Sequence, residues 1–432
     1  MSRRKNPRGL GSCNVTRRAF LKGICASSVS GLISTAFPQV SRGQPKEVEV
    51  AFIQPRSGPM VPIAEGPVIC AHIAVDEINS GGGIRSLGGA KLKLLEYDNE
   101  GKAEVGASMV ERAARSNAVA IVGSMQSGVV LVQTLMAERN RIPNIVDVAI
   151  ADDITARDLR YVFQTCPSAE QMILSDLNFI RSLHDSKTGK KVKTLGVMYE
   201  DTAYGQSVFN GIKKNHEKYG LELIGSIGYN WKSPDLTGPI TRLKAANPDF
   251  IYQVGYIPDT ILTIQTIASL KLAMLGIHCG ANGSQEKFYE ACKPLGEYVF
   301  YSDWWSPEVI PQAPKDRGQM IIEAYRNRSK GEVVPGEGIK TLSAFYVLKQ
   351  ALEMAASYDR DKLRDALERV YVTGAHGSAL PYPIKFDAKH KVEGAFSVVG
   401  QWVKHKKATI FPKEVASAQY VFPQPSWKER GL

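Results

Sequence analysis

Apolar residues along this chain keep two rhythms that alternate. Short continuous runs such as "VEVAFI" (48–53), "AVAIVG" (118–123), "TLGVMYE" (194–200) and "DFIYQVG" (249–255) have no polar face. Runs of that kind fit strands buried on both sides, as in a parallel sheet. Between them lie stretches with helical spacing. In "EGPVICAHIAVDEINS" (65–80), Val68, Ile69, Ala71, Ile73, Ala74 and Ile78 share one side, and "GGGI" (81–84) ends the helix, since glycine tolerates the left-handed cap. Strand "KLKLLEYD", helix 103–117, strand 118–123, helix 127–139 and a short strand near "NIVDV" complete a first series. A second runs through helix 168–185, strand 194–200, helix 204–219, strand 222–227, helix 236–246, strand 249–255 and helix 258–271. Two runs of β-α-β units predict two parallel-sheet lobes with helices on both faces. The last third, with helices near 315–329, 340–357 and 360–370 and strands near 383–387 and 396–403, is expected to return and complete both.

In open α/β sheets, ligands bind beyond the carboxyl ends of the strands, where strand order reverses. That rule nominates the loops "QPRSGPM" (54–60), "GSMQSG" (123–128), "DVAIADD" (147–153), "EDTAYG" (200–205), "VGYIPD" (254–259) and "CGANGS" (279–284). "GSMQSG" opens a predicted helix, whose free N–H groups favour an anion; the Ser127 hydroxyl either caps that helix or bonds a carboxylate. In "YSDWWSP" (301–307), Trp304 or Trp305 is placed to stack on a ligand ring, and Trp305 is the one carried into the expected site.

Composition adds an address. The chain carries a formal +11, but residues 1–43 hold eight Lys and Arg and no acid, so the remainder is near +3. Without another basic stripe, a nucleic-acid partner is not expected; "SLHDSKTGKKVK" (182–193) reads as a solvated loop. The leader runs from a basic segment to an apolar stretch, Ile24 to Phe37, too short to span a bilayer. Its Thr16-Arg17-Arg18-Ala19-Phe20-Leu21-Lys22 resembles the twin-arginine export signal, which is read by an export machinery and is no anchor. Cys70, Cys166, Cys279 and Cys292 would remain after cleavage in a compartment that permits disulfides, and Cys279 with Cys292 are near enough in sequence to pair. No HExxH, CxxC, phosphate loop or G-x-S-x-G elbow is present, so neither a metal, a cofactor nor catalysis is expected.

The segments "SGPM", "HIAVDEINSGGGI", "LLEYDNEGKAEVGASMVERA", "IVGSMQS", "YVFQTCPSAEQ", "VMYEDTAYGQSVFNGIKK" and "NPDFIYQVGY" occur in an order and spacing that covers nearly all the chain after the leader. Together they resemble the type I periplasmic-binding-protein fold, and within it the leucine/isoleucine/valine-binding family that feeds ABC importers. The resemblance implies two Rossmann-like lobes joined by a multi-strand hinge, closing on a small molecule. It implies lobes of 46–166 plus about 304–375, and 167–303 plus about 376–432, behind the 1–43 signal. A periplasmic monomer with a membrane permease as partner is the corresponding expectation.

Carried over position by position, the family's carboxylate-binding serine falls on Ser127 and its backbone-contributing small residue on Ala149. The next position, often threonine, is Ile150. The two cleft tyrosines are Tyr204 and Tyr256, the acid that meets an ammonium group falls on Asn282, and the first-lobe aromatic is Ile63. A desolvated ammonium needs a charged or well-bonded partner. Ile150 and Asn282 remove two, while Ser127 and its helix start remain. The expected ligand is therefore an aliphatic or aromatic carboxylate without an ammonium group rather than a branched-chain amino acid, unless Glu65, Asp201 or Asp259 supplies the charge. The competing classes are a sensory receptor on the same fold and, less favoured, an exported enzyme.

Overall fold

The two apolar rhythms fold into two series of parallel β-α units in a computed structural model that describes residues 46–432. The export signal expected over 1–43 lies outside the described residues. The first series comprises β1 (Glu47–Gln54), α1 (Val61–Ser80), β2 (Lys91–Asp98), α2 (Ala103–Arg115), β3 (Ala120–Val122), α3 (Ser127–Arg139), β4 (Asn144–Val146), α4 (Asp153–Ala156) and β5 (Val162–Gln164). Its strands form one all-parallel sheet in the order β2-β1-β3-β4-β5. β1 is buried from Val50 onward, as a strand covered on both faces requires. α1 starts four residues earlier than its apolar spacing suggests, because Pro62 occupies the first turn, where a missing N–H costs no helical bond.

The second series comprises α5 (Ala169–Ser182), β6 (Thr194–Glu200), α6 (Ala203–Asn215), β7 (Glu222–Tyr229), α7 (Thr237–Ala246), β8 (Phe250–Val254), α8 (Ile257–Ser269), β9 (Gly276–His278), α9 (Glu286–Cys292) and β10 (Phe300–Asp303). The chain then makes α10 (Arg317–Arg328), α11 (Gly336–Ala355) and α12 (Arg360–Leu367). α10 and α11 pack on α1 of the first lobe, and Arg360 of α12 bonds the carbonyls of Ala114 and Ala118 there. It closes with β11 (Val398–Val403) and β12 (Lys406–Phe411), which complete the second sheet, β12-β11-β10-β9-β8-β6-β7. Only the β10–β11 and β11–β12 pairs are antiparallel. The strand expected at 383–387 reduces to two isolated bridges, Val372 with Ile384 and Phe386 with Val392.

Strand order reverses between β1 and β3 in one sheet and between β6 and β8 in the other. At the first reversal Gly123 leaves β3 with φ +131°, and a Cβ there would sit 2.1 Å from the Ile53 carbonyl oxygen. Only glycine lets the two strand exits approach so closely. The four described cysteines are buried free thiols, Cys279 and Cys292 among them. No helix among the described residues is long and apolar enough to cross a membrane.

Candidate functional site

The strand exits of both sheets converge on one narrow cavity of about 50 Å³. Met125 and Ser127 reach it from the end of β3, Val148 and Ile150 from the end of β4, and Ile63 from α1. From the other lobe come Tyr204 after β6, Tyr256 after β8, Ala281 and Asn282 after β9, and Trp304 after β10. Glu337 and Lys340, on the first turns of α11, close the lining.

Of the residues expected from sequence, Ser127, Ile150, Tyr204, Tyr256 and Asn282 are thus brought together. Ile63, at the family's aromatic position, joins them. Two are not. Ala149 does not line the cavity, and its backbone is committed elsewhere, the carbonyl accepting from Gln164 Nε2 at 2.8 Å and the N–H donating to Ser124 O at 3.1 Å; Val148 lines the cavity in its stead. Trp305 lines a separate cavity with Tyr301, Asp303 and Lys407. Trp304 takes the cleft position because its indole N–H donates to Glu337 Oε1 at 3.1 Å and its backbone N–H to Asp303 Oδ1 at 2.8 Å.

Ser127 is the first residue of α3, and its hydroxyl accepts from Ala151 N at 3.2 Å, leaving its proton for an acceptor in the cavity. Tyr204 opens α6, whose start is tied down by Thr202 and by Glu200, the latter accepting from Thr202 N at 2.6 Å. Its phenol is buried and is held neutral by desolvation. Tyr256 packs beside it, with ring centroids 5.8 Å apart, and Trp231 meets Tyr256 edge-on at 5.1 Å. Asn282 gives Nδ2 to Gly255 O at 2.7 Å.

None of the acids proposed to replace the family's ammonium partner serves that purpose. Asp259 turns into its own lobe, accepting from Tyr229 OH at 2.7 Å and Tyr256 N at 2.9 Å; burial raises its carboxyl to about 7. Glu65 is exposed and paired with Lys287 at 3.0 Å, and Asp201 is exposed. The acid that does line the cavity, Glu337, was invisible in the sequence. It already receives Trp304 Nε1 on Oε1 and Gln285 Nε2 on Oε2, the latter at 2.5 Å. Lys340, equally unforeseen, is 1% exposed. Its Nζ donates to Val148 O at 3.0 Å and stands 3.9 Å from the Trp304 ring centroid. No cluster of metal-ligating side chains exists among the described residues. The arrangement offers anion donors, aromatic edges and apolar walls, and no nucleophile paired with a base.

A family model described as "Periplasmic binding protein" matches residues 47–406. The Leu/Ile/Val-binding protein homolog 8 of Brucella suis is 26% identical over 403 residues, covering 92% of this chain and 98% of that protein. Among solved structures, the leucine-binding protein LivK of Thermotoga maritima superposes with a TM-score of 0.73 at 19% identity, covering 84% of this chain and 97% of its own. A solute-binding protein of an ABC transporter from R. palustris, solved in complex with benzoate, gives 0.68 at 18% identity, with 87% and 97% covered.

Proposed function

The chain belongs to the periplasmic binding protein family, and from that premise we propose that it captures a small carboxylate lacking an ammonium group and delivers it to the permease of an ABC importer. It is a binding protein of the leucine/isoleucine/valine type rather than an enzyme. The ligand enters between the lobes, which close on it by hinge motion, and the closed form is what the permease distinguishes. The twin-arginine leader carries the folded chain to the periplasm and is removed there.

The observation that carries the ligand class is a cavity whose one lining carboxylate, Glu337, is already held by two protein donors. Glu337 is engaged by two protein donors, Asp259 caps α8, Asn282 replaces the family's acid and Ile150 its threonine. An α-amino acid would have to share Glu337 with Trp304 and Gln285, while Ile150 and Asn282 offer its ammonium no charge. An aliphatic or aromatic acid has the Ser127 end for its carboxylate and the apolar wall of Ile63, Met125, Val148 and Ile150 for its body. Benzoate in the R. palustris protein supports this reading, since a related architecture takes such an acid.

A thermal-shift panel tests it, pairing leucine, isoleucine and phenylalanine with 4-methylpentanoate, 4-methyl-2-oxopentanoate and benzoate. A ligand at a hundredfold excess over Kd stabilises the fold by about 2.7 kcal/mol. Shifts with the deaminated acids alone are expected; shifts with the amino acids alone would sink the assignment.

A further inference from the structure

We propose that Lys340 is the counter-charge of the ligand, a buried ammonium that the fold leaves without an ion pair so that an anionic ligand can complete it. This deepens the carboxylate reading above and rests on it.

Among the described residues, the buried arginines and the largely buried Lys407 have acidic partners. Arg317 grips Glu77 through two bonds, at 2.8 and 2.9 Å. Lys407 donates to Asp303 at 2.7 Å, and Arg364 pairs with Asp365. Lys340 is buried as deeply, yet among the described residues no carboxylate stands within ion-pairing distance of it. Asp147 feels its charge but commits Oδ2 to Gln54 Nε2 at 2.9 Å and Thr341 Oγ1 at 2.6 Å. Of the three ammonium donors, one meets the Val148 carbonyl, and the indole face of Trp304 takes up part of the charge.

A desolvated ammonium so placed is poorly compensated. The free volume it borders is the ligand cavity, which it shares with the Ser127 hydroxyl and the Tyr204 phenol. A carboxylate set against Lys340 and Ser127 forms charge-assisted bonds where water is excluded, and those are the strong ones. The same cation disfavours an ammonium in the cavity. The sequence departures at Ile150 and Asn282 and the lysine on α11 therefore select one class, a monoanion with an apolar body.

Lys340→Met keeps the length of the side chain and removes the charge. Isothermal titration of the purified full-length protein would compare benzoate and 4-methylpentanoate with their primary amides and with leucine. Carboxylate affinity should fall by about 100-fold in the variant, while any amide binding changes by less than about threefold. Differential scanning fluorimetry without ligand gives a second readout. Removing an unpaired buried cation should leave Tm unchanged or higher, whereas Lys407→Met, which strands Asp303, should lower it by about 5 °C or more.

Carboxylate binding retained within about threefold in Lys340→Met overturns the inference. So does a ligand-free Tm lowered by about 5 °C, which marks Lys340 as structural. If wild type binds leucine and none of the deaminated acids, the ammonium-free reading fails by itself. The Lys340 assignment then stands or falls on whether the variant loses leucine. If nothing in the panel binds, the ligand-free Tm alone decides.

Discussion

Asp176 on α5 offers a quantitative test of how the second lobe holds its charge. Its carboxyl is fully buried and accepts from Tyr252 OH at 2.7 Å on β8, Ser302 Oγ at 2.8 Å on β10 and Ser397 Oγ at 3.3 Å just before β11. His278 of β9 stacks on Tyr252 with centroids 4.7 Å apart and has its Nε2 3.9 Å from Asp176 Oδ1. Because Gly280 N–H donates to His278 Nδ1 at 3.1 Å, the ring proton belongs on Nε2. Burial drives the imidazole down to about 3, so no cation faces the carboxyl. Desolvation therefore outweighs the three hydroxyls and raises Asp176 from 3.8 to about 7. With the folded value raised, the stabilising contribution is complete below the unfolded pKa and is lost as pH rises through the folded one. The whole loss is on the order of 4 kcal/mol, of which roughly 3 kcal/mol falls between pH 5 and pH 8. Urea unfolding followed by tryptophan fluorescence at those two pH values, on wild type and Asp176→Asn, reads it directly. Wild type should be weaker at pH 8 than at pH 5, with Asp147 (raised to about 6) and Asp259 (about 7) adding in the same direction. Asp176→Asn should lose roughly 3 kcal/mol of that pH dependence and be the more stable protein at pH 8. Parallel pH profiles for the two proteins, or a wild type that strengthens toward pH 8, would refute the reasoning.

Three further outcomes follow from the cleft. Ile150→Thr returns a hydroxyl to the cavity, so leucine affinity by titration should rise about tenfold while the ligand-free protein loses about 1 kcal/mol for the buried hydroxyl. Gly205→Ala would put a Cβ 2.2 Å from the Glu200 carbonyl oxygen at the start of α6; urea unfolding should show a loss of about 2 kcal/mol or more, with weakened binding because Tyr204 sits on the displaced turn. Ser207→Ala removes the bonds of Ser207 Oγ with Asp152 N (3.0 Å) and Asp152 Oδ2 (2.9 Å), which tie α6 to the loop after β4. Ligand affinity should drop about fivefold with little change in ligand-free Tm.

What the sequence disclosed depended on how local the deciding interaction was. α3 runs over Ser127–Arg139, as its apolar spacing indicates, and the strands Thr194–Glu200 and Glu47–Gln54 were visible from their mainly apolar runs. β9 and β10, of three and four residues, are too short to carry a period, and they exist because longer neighbours supply their ladders. β12, "KKATIF", is an edge strand whose polar residues hide it, and β11 recruits it by antiparallel pairing. The same dependence explains the tryptophans. At the end of a strand one residue decides the face, and Asp303 and Glu337 settle it in favour of Trp304, although Glu337 lies 33 positions away.

Cleft residues at strand exits were legible because the rule that places them concerns topology, and two series of β-α units are enough to apply it. The residues that set the charge of the cleft were not. In isolation the start of α11, "GEGIKT", reads as the solvated first turns of a helix, with Glu337 and Lys340 as ordinary surface residues. They are buried because α11 returns to pack against α1 and because Gln285, Trp304 and Val148 close over them from segments far away in sequence. A charge that tertiary packing buries must be matched or left to function. Glu337 is hydrogen-bonded by the neutral Gln285 and Trp304, which fixes the indole that walls the cleft; Lys340 borders the cavity with one protein acceptor, the Val148 carbonyl. On the reading proposed above, that asymmetry gives the cleft an anionic demand, which the substitutions at Ile150 and Asn282 suggest only by subtraction.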